Sequence, residues 1–263
     1  MQPKRSLGQN FLRDNGVIDR IIEALGPLPT DTVVEIGPGD GALTGKLLQS
    51  AEKVIAIEFD RDLVSVLKKR FASAVNFELI EADALSVDFS RFQGTKNNTD
   101  KLKLAANLPY NISTPILQRL MDQRSLFSKM VLMFQREVVN RIMAEPGNSE
   151  RGYLTVLAEA AFEREWLFDV PPEAFVPVPK VWSAVVRLTP TKSVVENEAL
   201  FREVVSLSFA QKRKTILNNL KMKYAGAAAI LTACEIDGRR RAETLTLEEW
   251  ARLTAVISDV KNR

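Results

Sequence analysis

The feature that most constrains the fold is a regular alternation of short apolar runs with helical patterns along the first two thirds of the chain. Runs such as "VVEI", "VIAIE" and "VLMF" have the composition of buried strands, and amphipathic segments such as "RDLVSVLKKRF" separate them. Strands that alternate with helices form a parallel sheet with helices on both faces. Two later segments, near residues 167–170 and 181–188, can supply the last strands as an antiparallel pair. The sequence therefore predicts an α/β domain with a mostly parallel sheet.

The last seventy residues have a different pattern. After the proline-rich "PPEAFVPVPK" and a polar linker the sequence is helical to its end, so we place a domain boundary between residues 190 and 191. Residues 191–263 carry 13 Lys and Arg against 9 Asp and Glu, whereas residues 1–190 are nearly neutral. A basic domain favours a polyanionic partner such as a nucleic acid, although a solvated surface explains the charge equally well.

The absence of histidine excludes several classes of enzyme. The chain has no histidine and one cysteine, Cys234, so it cannot build a Ser–His or Cys–His nucleophile system, a cysteine zinc cluster or an intrachain disulfide. We expect a reducing cytoplasm, and the sequence contains neither a secretory signal nor an apolar run of roughly 18 residues that could span a membrane. Catalysis by this chain would need little proton transfer by the protein.

A glycine loop joins the first predicted strand to the helix that follows it, in "VVEIGPGDGALT". Gly37, Gly39 and Gly41 allow a tight turn and the close approach of a ligand. Glu58 ends the next strand, where a carboxylate can accept both ribose hydroxyls of a nucleoside. Asp83 ends the third strand and can accept from an adenine amino group. Together these residues predict a site for a nucleoside cofactor.

Two nucleoside cofactors are compatible with this unit. The Gly-x-Gly-x-Gly spacing differs from the Gly-x-Gly-x-x-Gly of dinucleotide-binding proteins, although NAD stays open on this pattern alone. Glu35, just before the loop, suits the cationic amino-acid tail of S-adenosylmethionine, by direct contact or by ordering the loop. A glycine turn required only for packing is the structural alternative.

The segment "NLPYN" follows the fourth predicted strand at the same edge of the sheet. Asn107 offers a side-chain acceptor, and Pro109 restricts Leu108 to an extended conformation that can direct its carbonyl into the site. Tyr110 supplies a face for stacking a planar base. Two acceptors would draw the hydrogens of the adenine amine toward tetrahedral geometry, free its lone pair and hold it in line with a methyl donor. The structural alternative is a proline turn with a packed tyrosine.

Six motifs in order extend this interpretation over nearly the whole chain. With "SLGQNFL", "VVEIGPGDGALT", "IAIE", "EADAL", "NLPYNIST" and "FVPVPKVWSAVVRL", the sequence resembles the ribosomal RNA adenine N6,N6-dimethyltransferases. The resemblance implies a Rossmann-like class I methyltransferase domain with a seven-stranded, mostly parallel sheet and a small all-helical C-terminal domain. It also implies S-adenosylmethionine as the methyl donor, without a metal, and adenine in ribosomal RNA as the acceptor.

The site residues follow by position. The cofactor would be bound by Gln9, Asn10, Leu12, Glu35, Gly37, Gly39, Gly41, Glu58, Asp83, Ala84 and Asn107. The target base would be held by Asn107, Leu108, Pro109 and Tyr110, with Phe175 stacked on its other face and Phe11 lining the pocket.

The C-terminal motifs indicate a branch of the family. "FAQKRKTILNNL" and "RAETLTLEEWARL" resemble the kasugamycin-sensitivity branch, which dimethylates two adjacent adenosines in the 3′-terminal hairpin of 16S RNA and takes part in 30S biogenesis. We predict one helix here, with an apolar stripe from Val205 to Leu220 and with Lys214 and Lys221 facing the phosphates of RNA.

Two other functions stay open on the sequence. One is the same chemistry on 23S RNA, as in the macrolide-resistance methylases. The other is a mainly non-enzymatic role as a factor that binds the assembling ribosome. In either case we expect a cytoplasmic monomer without a membrane partner.

Overall fold

The computed structural model describes residues 9–93, 101–109 and 112–261, and the chain divides into two compact units. The first unit comprises Met1–Val139 and Glu163–Pro190, and the second comprises Asn140–Phe162 and Thr191–Arg263. The chain passes from the first unit to the second after Pro190, which is where the sequence placed a boundary. Residues 140–162, however, group with the second unit and not with residues 1–139. The reason is tertiary packing, because the helix at Tyr153–Ala161 contacts two helices of the second unit.

The first unit is built on a seven-stranded sheet. The strands are β2 (Thr32–Ile36), β3 (Lys53–Glu58), β4 (Phe77–Glu81), β5 (Leu102–Asn107), β6 (Phe127–Gln135), β7 (Phe162–Val170) and β9 (Ser183–Pro190). Their order across the sheet is β4–β3–β2–β5–β6–β9–β7. The pairs from β4 to β6 are parallel, and β9 runs antiparallel to β6. The prediction of a mostly parallel sheet is confirmed. Two further strands, β1 (Phe11–Leu12) and β8 (Phe175–Val176), pair with each other.

Helices follow most of the parallel strands. Helix α1 (Asn15–Leu25) precedes β2. The helices that follow parallel strands are α2 (Ala42–Leu47), α3 (Arg61–Arg70), α4 (Ser113–Asp122) and α5 (Arg136–Met143), and the boundary between the units falls within α5. Helix α1 shows why these segments fold locally: the Asp14 carboxylate accepts a hydrogen bond from the Val17 N–H, and Gly26 ends the helix with φ +56°. In the described ranges no helix is both long enough and apolar enough to cross a bilayer.

The strand order creates a crevice at one edge of the sheet. From β2 the chain proceeds outward through β3 and β4, then returns to place β5 on the other side of β2. Ligands of open α/β sheets bind at such a switch point, outside the carboxyl ends of the strands. Ile36 pairs with Ile57 and with Ala106, so the residues that follow them, Gly37, Glu58 and Asn107, lie at one level.

The second unit is helical. It contains α6 (Tyr153–Ala161), α7 (Glu198–Phe209), α8 (Ile216–Leu220), α9 (Ala227–Ala233) and α10 (Leu247–Lys261). Trp250 is fully buried and stacks on Phe209, with 6.0 Å between ring centroids. The prediction of one continuous helix from Val205 to Leu220 is wrong, because α7 ends at Phe209 and Thr215 caps a new helix by accepting from the Asn218 N–H.

Candidate active site

A cavity of about 240 Å³ lies in the first unit at the carboxyl ends of β2, β3 and β5. It brings together most of the residues that the sequence singled out, and they come from all six of the motifs named above. The predicted residues in its lining are Gln9, Asn10, Phe11, Leu12, Glu35, Gly37, Gly39, Glu58, Asp83, Asn107, Leu108, Pro109 and Phe175. Residues from the glycine loop, the acidic strand ends and the "NLP" segment therefore share one site.

Five predicted residues are not part of this described lining. Gly41 and Ala84 lie in the first unit beside residues that do line the cavity. Lys214 and Lys221 are exposed residues of the second unit that flank α8. Tyr110 lies outside the residues that the structure describes.

Eight lining residues were not predicted. They are Pro38, Asp40, Ala42, Leu43, Phe59, Leu63, Leu85 and Ile112. Most follow a predicted residue directly or start the next helix, so proximity to the strand ends could have identified them. Phe59 is the clearest omission, because its side chain is 63% exposed immediately after Glu58. All of the eight except Asp40 are apolar and suit the flat faces of a purine.

The three glycines of the loop serve different purposes. All have positive φ, at +67° for Gly37, +61° for Gly39 and +89° for Gly41. A Cβ on Gly39 would lie 3.0 Å from the ring of Phe11. Because Gly39 has no side chain, Phe11 of the N-terminal segment can pack against the loop at the cavity. A Cβ on Gly41 would lie 2.5 Å from the ring of Phe71, which packs behind the loop. At Gly41 the constraint therefore includes packing as well as backbone conformation.

Replacing Gly41 by alanine is expected to lower the free energy of unfolding by about 2–5 kcal/mol. The left-handed backbone costs about 1–2 kcal/mol for a non-glycine residue, and overpacking against Phe71 adds about 1–3 kcal/mol. Gly26→Ala is the matched control, because Gly26 also has positive φ but its added Cβ would approach nothing closer than 3.7 Å. Urea unfolding of both variants measures the difference, and equal losses would contradict the packing role of Gly41.

Glu58 is held rigidly at the end of β3. Its side chain is 7% exposed, and Oε1 accepts hydrogen bonds from the backbone N–H groups of Phe59 and Asp60, both at 2.9 Å. Burial raises the pKa of Glu58, and these backbone hydrogen bonds oppose the rise. Asp83 is exposed, and its Oδ1 accepts from the Leu85 N–H at 2.9 Å. The two carboxylates thus differ in burial but are both oriented by the backbone that follows them.

Glu35 joins the strand before the glycine loop to the helix after it. Its carboxylate is 1% exposed and accepts a hydrogen bond of 2.6 Å from the Thr44 hydroxyl in α2. Burial raises the pKa of Glu35 to about 7; the hydrogen bond from Thr44 opposes this rise and the nearby Glu58 adds to it. Glu35 therefore spans the ends of the loop, and it also reaches the cavity lining.

The pH dependence of stability is expected to change in a Glu35→Gln variant. Because the folded-state pKa lies above the ordinary glutamate value of 4.5, the folded protein binds more protons than the unfolded chain between about pH 4.5 and 7. Wild-type stability therefore falls as pH rises through this window, by on the order of 3 kcal/mol, whereas glutamine removes the effect. Urea unfolding at pH 5 and pH 8 measures it, and parallel pH profiles for both proteins would contradict it.

The "NLP" segment is anchored on both sides. Asn107 Nδ2 donates to the Asn10 carbonyl at 3.3 Å, so Oδ1 is the amide atom that can accept from a ligand. The Leu108 N–H donates to the Met133 carbonyl at 3.2 Å, and the Pro109 carbonyl accepts from the Ser113 hydroxyl at 3.3 Å. The inward direction of the Leu108 carbonyl stays a prediction.

An N-terminal segment, residues 9–14, borders the cavity and is tied down along its length. Gln9 Nε2 donates to the Asp60 carboxylate at 2.8 Å, and Arg13 pairs with Asp40 at 2.5 Å. Between these ties, β1 pairs with β8, with Leu12 opposite Phe175. This pairing is what brings the two predicted aromatic residues, Phe11 and Phe175, into one site.

Comparison with known proteins identifies relatives over nearly the whole chain. The family model for "Ribosomal RNA adenine dimethylase" matches residues 1–259. A protein of Hahella chejuensis is 43% identical over 98% of this chain and 94% of its own length. A protein of Geobacter sulfurreducens is 44% identical over 97% of this chain and 95% of its own. Both are named ribosomal RNA small subunit methyltransferase A.

Solved structures give the same result for the fold. A dimethyladenosine transferase from Plasmodium falciparum is 29% identical, with a TM-score of 0.80 over 95% of this chain and 98% of that chain. The 23S rRNA methyltransferase ErmE is 28% identical, with a TM-score of 0.73 over 95% of this chain and all of that one. The predicted class I methyltransferase fold is confirmed. The chain belongs to the ribosomal RNA adenine dimethylase family.

Proposed function

We propose that this protein is an S-adenosylmethionine-dependent enzyme that dimethylates N6 of two adjacent adenosines in the 3′-terminal hairpin of 16S ribosomal RNA during 30S biogenesis. The observation that carries the proposal is the single cavity that joins Glu58 and Asp83 to the Asn107–Pro109 strand end. Relatives named small subunit methyltransferase A support this branch over nearly the full length of the chain. The enzyme acts as a monomer in the cytoplasm, where the small subunit is assembled.

The residues of the cavity fit S-adenosylmethionine. A buried, backbone-oriented carboxylate at Glu58 suits two ribose hydroxyls, and the apolar Leu63 and Leu85 suit the adenine ring. The buried Glu35 carboxylate has a pKa of about 7 in a lining that offers it no cationic partner, so a cationic amino group nearby would favour its ionised form. When bound, the cofactor supplies a methyl group activated by its attachment to a sulfonium.

The chain itself acts on the amine of the target adenine. In the first transfer Asn107 Oδ1 and the Leu108 carbonyl accept hydrogen bonds from the two N–H groups of the amine, which localises the nitrogen lone pair and aims it at the methyl group. Asn10 fixes the orientation of the Asn107 amide through the bond to Nδ2. The proton can leave after methyl transfer, so a chain without histidine can catalyse this reaction.

Aromatic residues position the base. Phe11 and Phe175 both line the cavity and are nearly buried, so they exclude water from the reacting atoms. We assign Phe175 to one face of the adenine and Tyr110 to the other. Stacking of this kind tolerates either adenosine of an adjacent pair, because every base presents the same type of face.

The second unit supplies exposed cations for the RNA backbone. Lys214 and Lys221 lie on either side of α8, and both are exposed. Replacing both with alanine is expected to weaken binding to small subunits severalfold and to reduce the salt dependence of the binding constant by about one to two phosphate contacts. Filter binding at several salt concentrations measures the slope. An unchanged slope would mean that these lysines are merely solvated.

The test of the function is transfer of labelled methyl groups from S-adenosylmethionine to unmethylated small subunits, with unmethylated 23S RNA in parallel. We expect dimethyladenosine in 16S RNA only. Label in 23S RNA alone would identify a methylase of the large-subunit type. Label in neither RNA, with cofactor still bound, would favour a non-enzymatic assembly factor.

A further inference from the structure

The segment 176–182, between the cavity residue Phe175 and strand β9, exposes an unusual amount of apolar surface. Four large apolar side chains within these seven residues are exposed: Val176, Val178, Val181 and Trp182. Single exposed apolar residues are ordinary on protein surfaces, whereas contiguous patches mark binding sites. We call this segment the apolar loop.

Trp182 is the exposed tryptophan among the three in the chain. Its side chain is 47% exposed, whereas Trp250 is fully buried and Trp166 is half-buried, with the Arg136 guanidinium 6.0 Å from its ring. The backbone at Trp182 is nevertheless fixed, because its carbonyl accepts from the Arg136 N–H at 2.9 Å and Ser183 begins β9. A large aromatic face is thus presented to solvent on a rigid strand end.

The apolar loop lies at the same edge of the sheet as the proposed base site. Asn107 pairs with Met133, and Met133 pairs with Val185, three residues after Trp182. Two strand spacings across the sheet and three residues along it place Trp182 on the order of 14 Å from Asn107. This is a distance that an RNA strand entering the cavity can cover with one or two nucleotides.

The charge of the loop favours a polyanion. From residue 174 to residue 186 the only charged residue is Lys180, which is exposed. The loop therefore offers one cation, no carboxylate and an exposed indole, the combination that binds single-stranded RNA by phosphate contact and base stacking. Pro177 and Pro179 restrict its backbone, so little ordering accompanies binding.

We propose that Trp182 stacks on the base of a nucleotide that flanks the target adenosine, with Lys180 beside its phosphate. This inference rests on the proposed function for the identity of the RNA. It adds a second stacking position outside the methylation cavity, which holds the strand while the target base occupies the site. Trp182 is therefore a positioning residue and takes no part in methyl transfer itself.

Tryptophan fluorescence tests the stacking directly. Wild-type protein and Trp182→Phe are titrated with a single-stranded oligoadenylate and with the unmethylated 3′-terminal hairpin RNA. We expect RNA to quench wild-type emission and to leave the emission of Trp182→Phe nearly unchanged, although this variant still binds. Equal quenching of both proteins would overturn the proposal. Since binding requires no methyl transfer, this result stands even if wild-type protein modifies no RNA, which would refute only the proposed function.

Kinetics separate positioning from a structural role. Trp182→Ala is expected to raise KM for the RNA substrate about tenfold while Kd for S-adenosylmethionine stays constant, and Trp182→Phe is expected to restore most of the loss. Leu28→Ala is the matched control, because Leu28 is 56% exposed but precedes β2 at the opposite edge of the sheet. Equal effects in the Ala and Phe variants, or an unchanged KM in Trp182→Ala, would overturn the proposal.

Discussion

Replacing Asn107 by alanine is expected to lower the rate of methyl transfer by about 10²- to 10³-fold, with a much smaller loss of cofactor affinity. The reason is that Oδ1 accepts an amine hydrogen more strongly as the nitrogen becomes tetrahedral, so that its contact is strongest in the transition state. Single-turnover transfer of labelled methyl groups measures the rate, and equilibrium titration with S-adenosylmethionine measures the affinity.

A second variant at this position separates the two ends of the amide. Asn107→Asp keeps an acceptor oxygen but loses the Nδ2 donor to the Asn10 carbonyl, a bond of 3.3 Å. If acceptance from the amine is the main role, the aspartate variant retains more activity than the alanine variant. If the bond to Asn10 is the main role, aspartate is at least as harmful as alanine, because its carboxylate then faces a carbonyl. Parallel losses of rate and affinity in both variants would contradict the assignment to the amine.

Removing the Glu58 carboxylate is expected to raise the Kd for S-adenosylmethionine about 10- to 100-fold, the usual effect of losing hydrogen bonds to a charged group. The rate at saturating cofactor is expected to change little, because ribose contacts are equally strong before and during transfer. Glu58→Ala is compared with Glu81→Ala, which removes the paired carboxylate on the neighbouring strand. Glu81 is exposed, pairs with Arg61 and does not line the cavity. Unchanged affinity in Glu58→Ala would exclude Glu58 from the ribose site.

The parts of the site that the sequence predicted are those set by local pattern. An apolar run predicts a strand, and the residue that ends it lies at the sheet edge, which is why Glu58 and Asn107 could be assigned to one site. The same pattern cannot distinguish a glycine that approaches a ligand from one that packs against its own chain. Gly41 depends on Phe71, which lies thirty residues away in the sequence.

Long-range packing accounts for the differences between the predicted and the observed domain bounds and C-terminal helices. Residues 140–162 belong to the second unit because α6 contacts α7 and α10. The sequence near residue 140 has no local pattern that predicts a change of unit there. The helix break before Ile216 was predictable in principle, since Thr215 is a favoured N-cap residue. The apolar periodicity from Val205 to Leu220 concealed it, because α7 and α8 both contribute residues to the same core.

The pairing of β1 with β8 has a consequence for biosynthesis. It joins Leu12 to Phe175, about 160 residues apart in the sequence, and so closes a very long loop. Loop closure of this length has a high entropic cost and is repaid only when the intervening sheet has formed. A nascent chain therefore cannot complete the cavity until residue 176 has left the ribosome. The side of the cavity to which Phe175 contributes is therefore completed long after the strand ends at Glu58 and Asp83 have been synthesised.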